Sequence, residues 1–211
     1  MKIEIKNVSK SFKNVTILRD INLTLESGKI YGLVGRNGSG KSVFLKMLCA
    51  FYDVSSGEIL YDGRNILKEK AFPPNTRALI EKPNFIPDLT GYENLELLAS
   101  IQKKIGKKEI LETLDAVNLP DDKKKKYKNY SLGMKQKLGI AQVLMENPDV
   151  IILDEPFNGI EEKTAIKLRK LLKEEADKGK LIILASHIKD DIIGLADVIY
   201  EFDDGQIKKQ S

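Results

Sequence analysis

Short apolar runs alternate with segments of helical spacing in the C-terminal part of the chain. Residues 150–153 and 181–185 are wholly apolar, which is typical of strands buried on both faces of a parallel sheet. Between them, Ala165, Leu168 and Leu172 have the spacing of an amphipathic helix. The pattern predicts a strand, a helix and a strand, as in an α/β fold.

The N-terminal part of the chain shows strand-like alternation. Residues 2–8 alternate polar and apolar side chains, and Ile21, Leu23 and Leu25 do so again. This period of two predicts half-buried strands, as expected for an antiparallel sheet. Residues 30–34 predict a short apolar strand, residues 41–50 a helix, residues 58–61 another strand, and residues 198–202 a final one.

The middle of the chain has helical spacing only. It dominates from residue 92 to about residue 118, through Leu95, Leu98, Ile110 and Leu114, and returns from about residue 132 to residue 146. We therefore predict a single domain over residues 1–211. Its core consists of residues 1–81 and 147–211, interrupted by a helical insert over residues 82–146.

Composition narrows the class of protein. The 211 residues are 42% hydrophobic and 31% charged, and the single cysteine excludes a disulfide framework. No apolar run approaches the roughly 18 residues of a spanning helix. The net charge of +4 comes from interspersed residues of both signs, with a dense exception at residues 123–126. We expect a cytoplasmic protein with a solvated surface and no nucleic-acid partner.

A phosphate-binding loop follows the predicted strand at residues 30–34. Residues 35–42 match the pattern G-x-x-x-x-G-K-[ST], with a strand before them and a helix after them. In this arrangement backbone N–H groups surround phosphate oxygens, the lysine reaches the β- and γ-phosphates, and the hydroxyl of Ser42 ligates Mg²⁺. The predicted nucleotide-binding residues here are Gly35, Arg36, Asn37, Gly38, Ser39, Gly40, Lys41, Ser42 and Val43.

Two carboxylates follow the apolar run at residues 150–153. Asp154 and Glu155 would lie at the carboxyl edge of the sheet, where α/β folds bind ligands. We assign Asp154 to the Mg²⁺ shell beside Ser42. Glu155 is then placed to orient and deprotonate a water molecule, so we predict that it is the general base.

The chain has one histidine, and it also follows an apolar strand. His187 comes after Ser186, directly beyond residues 181–185. An imidazole at this edge can donate a hydrogen bond to a γ-phosphate and hold the attacking water in line. We therefore predict a catalytic role for His187 together with Glu155 and Lys41.

Residues 130–136, Tyr-Ser-Leu-Gly-Met-Lys-Gln, complete a family resemblance. With the motifs above, the chain resembles the nucleotide-binding subunits of ABC transporters over nearly its whole length. The segment occupies the place of the family signature, usually L-S-G-G-Q. Ser131 and Gly133 are kept, whereas Leu132 and Met134 depart. The resemblance implies that Ser131, Gly133 and Met134 contact the γ-phosphate of ATP held by a second subunit.

Other positions match the family more loosely. Phe12 is similar to the aromatic residue that stacks on adenine, and Glu81 stands where the family usually has a Gln that senses Mg²⁺ and the γ-phosphate. Residues 80–83 and 89–94, together with residues 131–136, resemble the ATPase subunits of bacitracin- and lantibiotic-type exporters. Glu161 replaces the usual Asp of the loop that contacts the partner subunit, so that contact is left open.

The resemblance implies a P-loop NTPase fold, with a RecA-like core, an N-terminal antiparallel β subdomain and an α-helical subdomain. It also implies a Mg²⁺-dependent ATPase that dimerises head to tail and powers a separate transmembrane permease, to which it binds at the cytoplasmic face of the membrane. A peptide antibiotic is a possible cargo. Cargo, direction of transport, and homodimer or heterodimer stay open.

Three other functions share some of these motifs. A small-molecule kinase with a P-loop would not need residues 131–136. ABC ATPases that act on DNA or ribosomes usually carry a long coiled coil or two cassettes in one chain, and this chain has neither. An ABC ATPase that regulates, or does mechanical work on, a membrane or nucleic-acid complex without transport is the main alternative.

Overall fold

The computed structural model describes residues 1–120 and 124–210, which form ten strands and five α-helices. The strands are β1 (Lys2–Phe12), β2 (Val15–Glu26), β3 (Lys29–Val34), β4 (Ser56–Tyr61), β5 (Arg64–Asn65), β6 (Thr76–Leu79), β7 (Val150–Asp154), β8 (Leu181–Ser186), β9 (Val198–Asp203) and β10 (Gln206–Lys209). The helices are α1 (Lys41–Leu48), α2 (Gly91–Gln102), α3 (Lys107–Ala116), α4 (Leu132–Leu144) and α5 (Glu162–Asp177).

The strands form two sheets. Strands β2, β1, β4 and β5 lie in that order in an antiparallel sheet, as the N-terminal alternation predicts. The second sheet has the order β10-β9-β3-β8-β7-β6, and every pair in it except β10 with β9 is parallel. The predicted α/β class with an N-terminal antiparallel sheet is confirmed.

The parallel sheet separates two hydrophobic cores. Along β7, Ile151 and Leu153 pack on one side, with α2, α3, α4 and α5. Val150 and Ile152 face the other side, with α1 and the antiparallel sheet. Because both faces are covered, β7 and β8 are buried along their whole length, which is why their sequences are continuous apolar runs.

The carboxyl ends of β3, β7 and β8 meet at one edge of this sheet. Strand β8 pairs in parallel with both others, so that Ala185 is level with Leu33 on one side and with Asp154 on the other. The segments that follow the three strands therefore begin side by side, and these are the segments that carry the predicted site residues.

Some elements differ from the sequence-based expectation. Strands β5, β6 and β10 carry no apolar run, and β6 lies at the edge of its sheet. The helical stretch after residue 92 is two helices, because Lys103 takes a left-handed conformation (φ 54°) that ends α2. Within the described residues, no helix is both long and apolar enough to cross a membrane.

Candidate nucleotide-binding and catalytic site

The loop between β3 and α1 forms a curled cradle of backbone. Gly35 has a φ of 154°, and a Cβ atom there would lie 2.5 Å from the carbonyl oxygen of Phe202, so only glycine fits. Lys41, the first residue of α1, is 5% exposed, and its Nζ donates to the carbonyl oxygens of Gly35 at 2.6 Å and Arg36 at 3.1 Å. The ammonium group is thus held at the mouth of the loop.

The first turn of α1 contains no acidic residue. Helices α2, α3 and α5 each carry a glutamate in their first turn, at Glu93, Glu109 and Glu162, whereas α1 and α4 carry no acidic residue there. An acidic side chain at this position would neutralise the positive end of the helix dipole. Neither α1 nor α4 therefore carries a carboxylate of its own that would offset the attraction of its N-terminus for an anion.

Ser42 and Asp154 meet beside the cradle, although 112 positions separate them in the sequence. The Ser42 hydroxyl donates to Asp154 Oδ2 at 2.6 Å. Burial raises the pKa of the Asp154 carboxyl, and the Glu155 carboxylate adds to the rise, while the Ser42 hydrogen bond opposes it. The Lys41 ammonium also opposes the rise.

These two oxygen donors suit Mg²⁺. Mg²⁺ prefers hard oxygen ligands, and it usually takes only one or two protein ligands beside water and phosphate oxygens. Among residues 1–120 and 124–210, no three His, Cys, Asp or Glu side chains form a self-sufficient metal centre. The donor set therefore fits a cation that arrives with a nucleotide.

A cleft of about 280 Å³ joins the cradle to the two carboxylates. It is lined by Ile17, Asn37, Gly38, Ser39, Gly40, Lys41, Ser42, Val43, Asp154 and Glu155. Burial lowers the pKa of the Lys41 ammonium, and the charges of Glu155 and Asp154 oppose that shift. The Ser39 hydroxyl is buried there without a hydrogen-bond partner. Both features fit a site built for phosphate.

Glu155 is held at the end of β7 by the end of β8. Its backbone takes a left-handed conformation (φ 50°), and its N–H donates to the carbonyl oxygen of Ala185 at 2.8 Å. Oε1 accepts from the backbone N–H of His187 at 2.9 Å and lies 2.8 Å from the Nδ1 atom of the same residue. Oε2 accepts from the Ser186 hydroxyl at 3.0 Å. The carboxylate is therefore fixed in position.

Phe12 and Glu81 are among the predicted residues that do not line this cleft. The Phe12 ring is 40% exposed and packs edge-on against Tyr52, with Lys10 Nζ 4.7 Å from its centroid. Glu81 has a φ of 67° and forms an ion pair with Lys46 on α1. The pairing of Glu81 follows from no sequence motif, because Lys46 lies outside the loop pattern.

The predicted signature begins helix α4. The Ser131 hydroxyl accepts from the backbone N–H of Met134 at 3.2 Å and caps the helix. A Cβ atom on Gly133 would lie 2.4 Å from the carbonyl oxygen of Gly159, so this position needs glycine. None of Ser131, Gly133 and Met134 lines the cleft of this chain. In a single chain the signature and the cradle are separate.

Three residues around Glu155 were missed by sequence reasoning. Gln136 Nε2 donates to the carbonyl oxygen of Glu155 at 3.0 Å, Ser186 binds its carboxylate, and Asp191 accepts from Ser186 at 3.3 Å. Two of them had a signal in the sequence, because Gln136 ends the signature segment at residues 130–136 and Ser186 directly precedes His187.

The lysine cluster begins at Lys123, which lies outside the described residues. Lys126 pairs with Glu93 at 3.3 Å, and Lys125 Nζ lies 3.4 Å from Met134 Sδ. The described part of the cluster therefore has partners within the chain.

Comparison with known proteins identifies relatives across the whole chain. A family model described as ABC transporter matches residues 18–158. The ATP-binding protein YybJ of Bacillus subtilis is 38% identical over 98% of this chain and 94% of its own length. The bacitracin transport ATP-binding protein BcrA of Enterococcus faecalis is 37% identical, over 99% of this chain and 68% of its own length. The lantibiotic transport ATP-binding protein SrtF of Streptococcus pyogenes is 34% identical, over 97% of this chain and 88% of its own length.

Solved structures match as broadly. A dimeric structure of MJ0796, a bacterial ABC transporter cassette, has a TM-score of 0.89 at 27% identity. The match covers 99% of this chain and 98% of the MJ0796 chain. A post-hydrolysis state of MJ0796 bound to ADP and Pi has a TM-score of 0.87 at 25% identity, over the same shares.

Proposed function

Because the chain belongs to the ABC transporter family, we propose that it binds and hydrolyses ATP to power a separately encoded membrane permease. The observation that carries the proposal is the single cleft that brings together Lys41, Ser42, Asp154 and Glu155. This combination supplies a phosphate cradle, oxygen ligands for a cation and a fixed general base.

The cradle and the sheet edge have different tasks in this mechanism. The backbone of residues 35–40 and the N-terminus of α1 bind the phosphates of ATP, and Lys41 offsets the charge of the β- and γ-phosphates. Ser42, Asp154 and, by resemblance, Glu81 would hold Mg²⁺, which neutralises phosphate charge when bound. Phe12 is proposed to contact the adenine.

Glu155 provides the base for an in-line displacement. It accepts a proton from a water molecule while the water oxygen bonds to the γ-phosphorus and the bond to the β–γ bridging oxygen breaks. ADP and phosphate leave, and the proton stays on Glu155 until solvent removes it. His187, whose ring contacts Glu155 here, is proposed to donate a hydrogen bond to the γ-phosphoryl group and orient the water.

The complete site requires two chains. Ser131 lies outside the cleft of its own chain, at a helix end that lacks acidic residues and is free to accept an anion. Next to it, Leu132 exposes 55% of its surface. We propose that two chains pair head to tail, so that Ser131, Gly133 and Met134 of one contact the γ-phosphate held by the other. The MJ0796 cassette, described as dimeric, supports this pairing.

The permease is proposed to dock on the helical part of the chain, residues 82–146, at the cytoplasmic face of the membrane. The segment after Glu81 and helix α2 line a surface cleft of about 570 Å³, where Ile86 exposes 45% and Leu97 49% of their surfaces. Exposed apolar side chains around a cleft are typical of a protein interface. BcrA and SrtF, named for bacitracin and lantibiotic transport, support an exporter with a peptide-antibiotic cargo.

Replacement of the general base tests the proposed chemistry. Glu155→Gln keeps the shape of the side chain but cannot take a proton, so we expect steady-state ATP hydrolysis to fall by about 100-fold or more, with ATP affinity retained. Glu174→Gln, on the exposed face of α5 where its pair with Lys170 is weak, is the control and should hydrolyse ATP normally. Near-normal turnover by Glu155→Gln would overturn the proposal.

A further inference from the structure

A buried hydroxyl lies between two carboxylates at the end of β8. Ser186 is fully buried, and its Oγ atom is 3.0 Å from Glu155 Oε2 and 3.3 Å from Asp191 Oδ2. The same oxygen accepts the backbone N–H of Ile188 at 3.1 Å. A serine hydroxyl has one proton, so Ser186 can donate to only one of the two carboxylates at a time.

The second carboxylate is anchored independently of the first. Asp191 Oδ1 accepts from Arg169 Nη2 at 3.0 Å, and Nη1 of the same arginine pairs with Glu162 at 3.0 Å. The guanidinium also lies 4.6 Å from the centroid of the Phe157 ring. Arg169 therefore fixes the Asp191 carboxylate through a charge-assisted hydrogen bond that does not involve Glu155.

We propose that Ser186 is a positioning residue for Glu155, with Asp191 as a second acceptor that helps to hold the serine side chain in place. This inference rests on the proposed role of Glu155 as general base. The Ser186 hydroxyl donates to Glu155 Oε2 at 3.0 Å, while the backbone N–H of His187 donates to Oε1 at 2.9 Å, so both carboxylate oxygens are held. Asp191 Oδ2 lies 3.3 Å from the same hydroxyl, and its other oxygen is bound by Arg169.

Both oxygens of a general base need to be held. A carboxylate with one fixed and one free oxygen would rotate, and a small misplacement of a catalytic group reduces turnover strongly. The backbone N–H of Ile188 and the Asp191 carboxylate hold the Ser186 oxygen where it reaches Glu155.

Steady-state kinetics of the purified chain test the inference. We expect Ser186→Ala to lower kcat for ATP hydrolysis by about tenfold, while KM for ATP stays within about twofold, because the hydroxyl acts on the base and not on the nucleotide. Ser27→Ala, which removes a hydroxyl bonded to the carbonyl of Met1, is the matched control and should hydrolyse ATP normally. A kcat of Ser186→Ala within twofold of the unmodified chain would overturn the inference, as would an equal loss of ATP affinity.

A second variant keeps the test valid if Ser186→Ala does not fold. Asp191→Asn keeps the shape of the side chain but is a weaker acceptor, so we expect a smaller loss of kcat, about threefold, again with KM unchanged. An unchanged kcat in Asp191→Asn would contradict the role of the second acceptor. Glu155→Gln in the same assay separates the two proposals: full activity in that variant overturns the proposed function, whereas full activity in Ser186→Ala alone overturns only this inference.

Discussion

The carboxyl edge of the parallel sheet and the outer face of α2 differ in what they leave exposed. At the edge, Lys41 and Asp154 are buried, and both are hydrogen-bonded within the chain. On α2, the apolar side chains of Leu97 and Ile101 expose 49% and 74% of their surfaces. The side chains at the edge are held in position by this chain alone, whereas the α2 face has exposed apolar surface that a partner would cover.

The helix ends extend the comparison. Helix α1, at the sheet edge, and helix α4, in the helical part, both begin without acidic residues, whereas the other three helices carry a glutamate there. At α1 the anion site lies within the chain's own cleft. The first residues of α4 do not line that cleft, so under the proposed function their anion is the γ-phosphate held by a second chain. The proposal thus assigns partners to two surfaces of the helical part and a nucleotide to the core.

The largest effect is expected where the core and the helical part of the chain are joined by an ion pair. Arg77 on the edge strand β6 donates through Nε to Glu146, just after α4, at 2.9 Å, and the Glu146 side chain is 5% exposed. Glu146→Gln leaves the guanidinium without its counter-ion, and we expect a loss of about 2 kcal/mol, below the range for a fully buried pair because Arg77 retains some exposure. At this chain length the melting temperature should fall by about 6 °C.

Thermal unfolding monitored by circular dichroism checks this expectation. Glu26→Gln, which removes a surface pair with Lys29, is the control and should shift the midpoint by less than about 2 °C. Equal midpoints for the two variants would mean that the Arg77–Glu146 pair does not join the regions.

A charged residue on α2 should impair binding of the permease without affecting ATP hydrolysis. Leu97→Glu places a carboxylate in the cleft proposed for the permease, and we expect recovery of the permease with the tagged protein from membranes to fall about tenfold, because an interface residue in a packed pocket contributes about 1–2 kcal/mol. ATP hydrolysis by the purified chain should be unchanged. Ile166→Glu, at an apolar residue on α5 that is somewhat more exposed than Leu97, is the matched control. Normal recovery with Leu97→Glu would place the docking surface elsewhere.

The smallest effect is expected at Glu81. Burial is the main cause of the raised pKa of Asp154, and the Glu81 carboxylate adds to it. If Glu81 contributes to the Mg²⁺ shell, Glu81→Gln should raise the Mg²⁺ concentration for half-maximal hydrolysis about threefold, since the amide keeps an oxygen ligand and loses only the charge. Glu69→Gln, which loses a surface pair with Arg64, is the control. The same Mg²⁺ dependence in both variants would mean that Glu81 serves only as the ion-pair partner of Lys46.

The sequence predicts the loop between β3 and α1 because strand, glycine loop and helix are local features of the chain. Asp154 and Glu155 are predictable for the same reason, since an apolar run places them at the end of a buried strand. Their contact with Ser42 requires the order of the strands, which a single sequence does not contain.

Other contacts depend on residues without a motif. Ser186 and Asp191 are ordinary polar residues until the fold places them beside Glu155. Strand β6 escapes prediction because Thr76 and Arg77 are polar, and its half-exposed edge position tolerates them. The break between α2 and α3 depends on one left-handed residue, Lys103, that no glycine marks.

The central claim is that one chain holds the cradle and base while a second chain supplies the signature. Size-exclusion chromatography of Glu155→Gln with ATP and Mg²⁺ tests it most directly, since slow turnover should preserve the ATP-bound pair. We predict a species of twice the 23.7 kDa chain mass with one ATP per chain. Adding Ser131→Asp, which keeps a capping oxygen but repels the partner's triphosphate, should return the protein to a monomer. A monomer of Glu155→Gln at saturating ATP, or an equally stable dimer with Ser131→Asp, would contradict the claim.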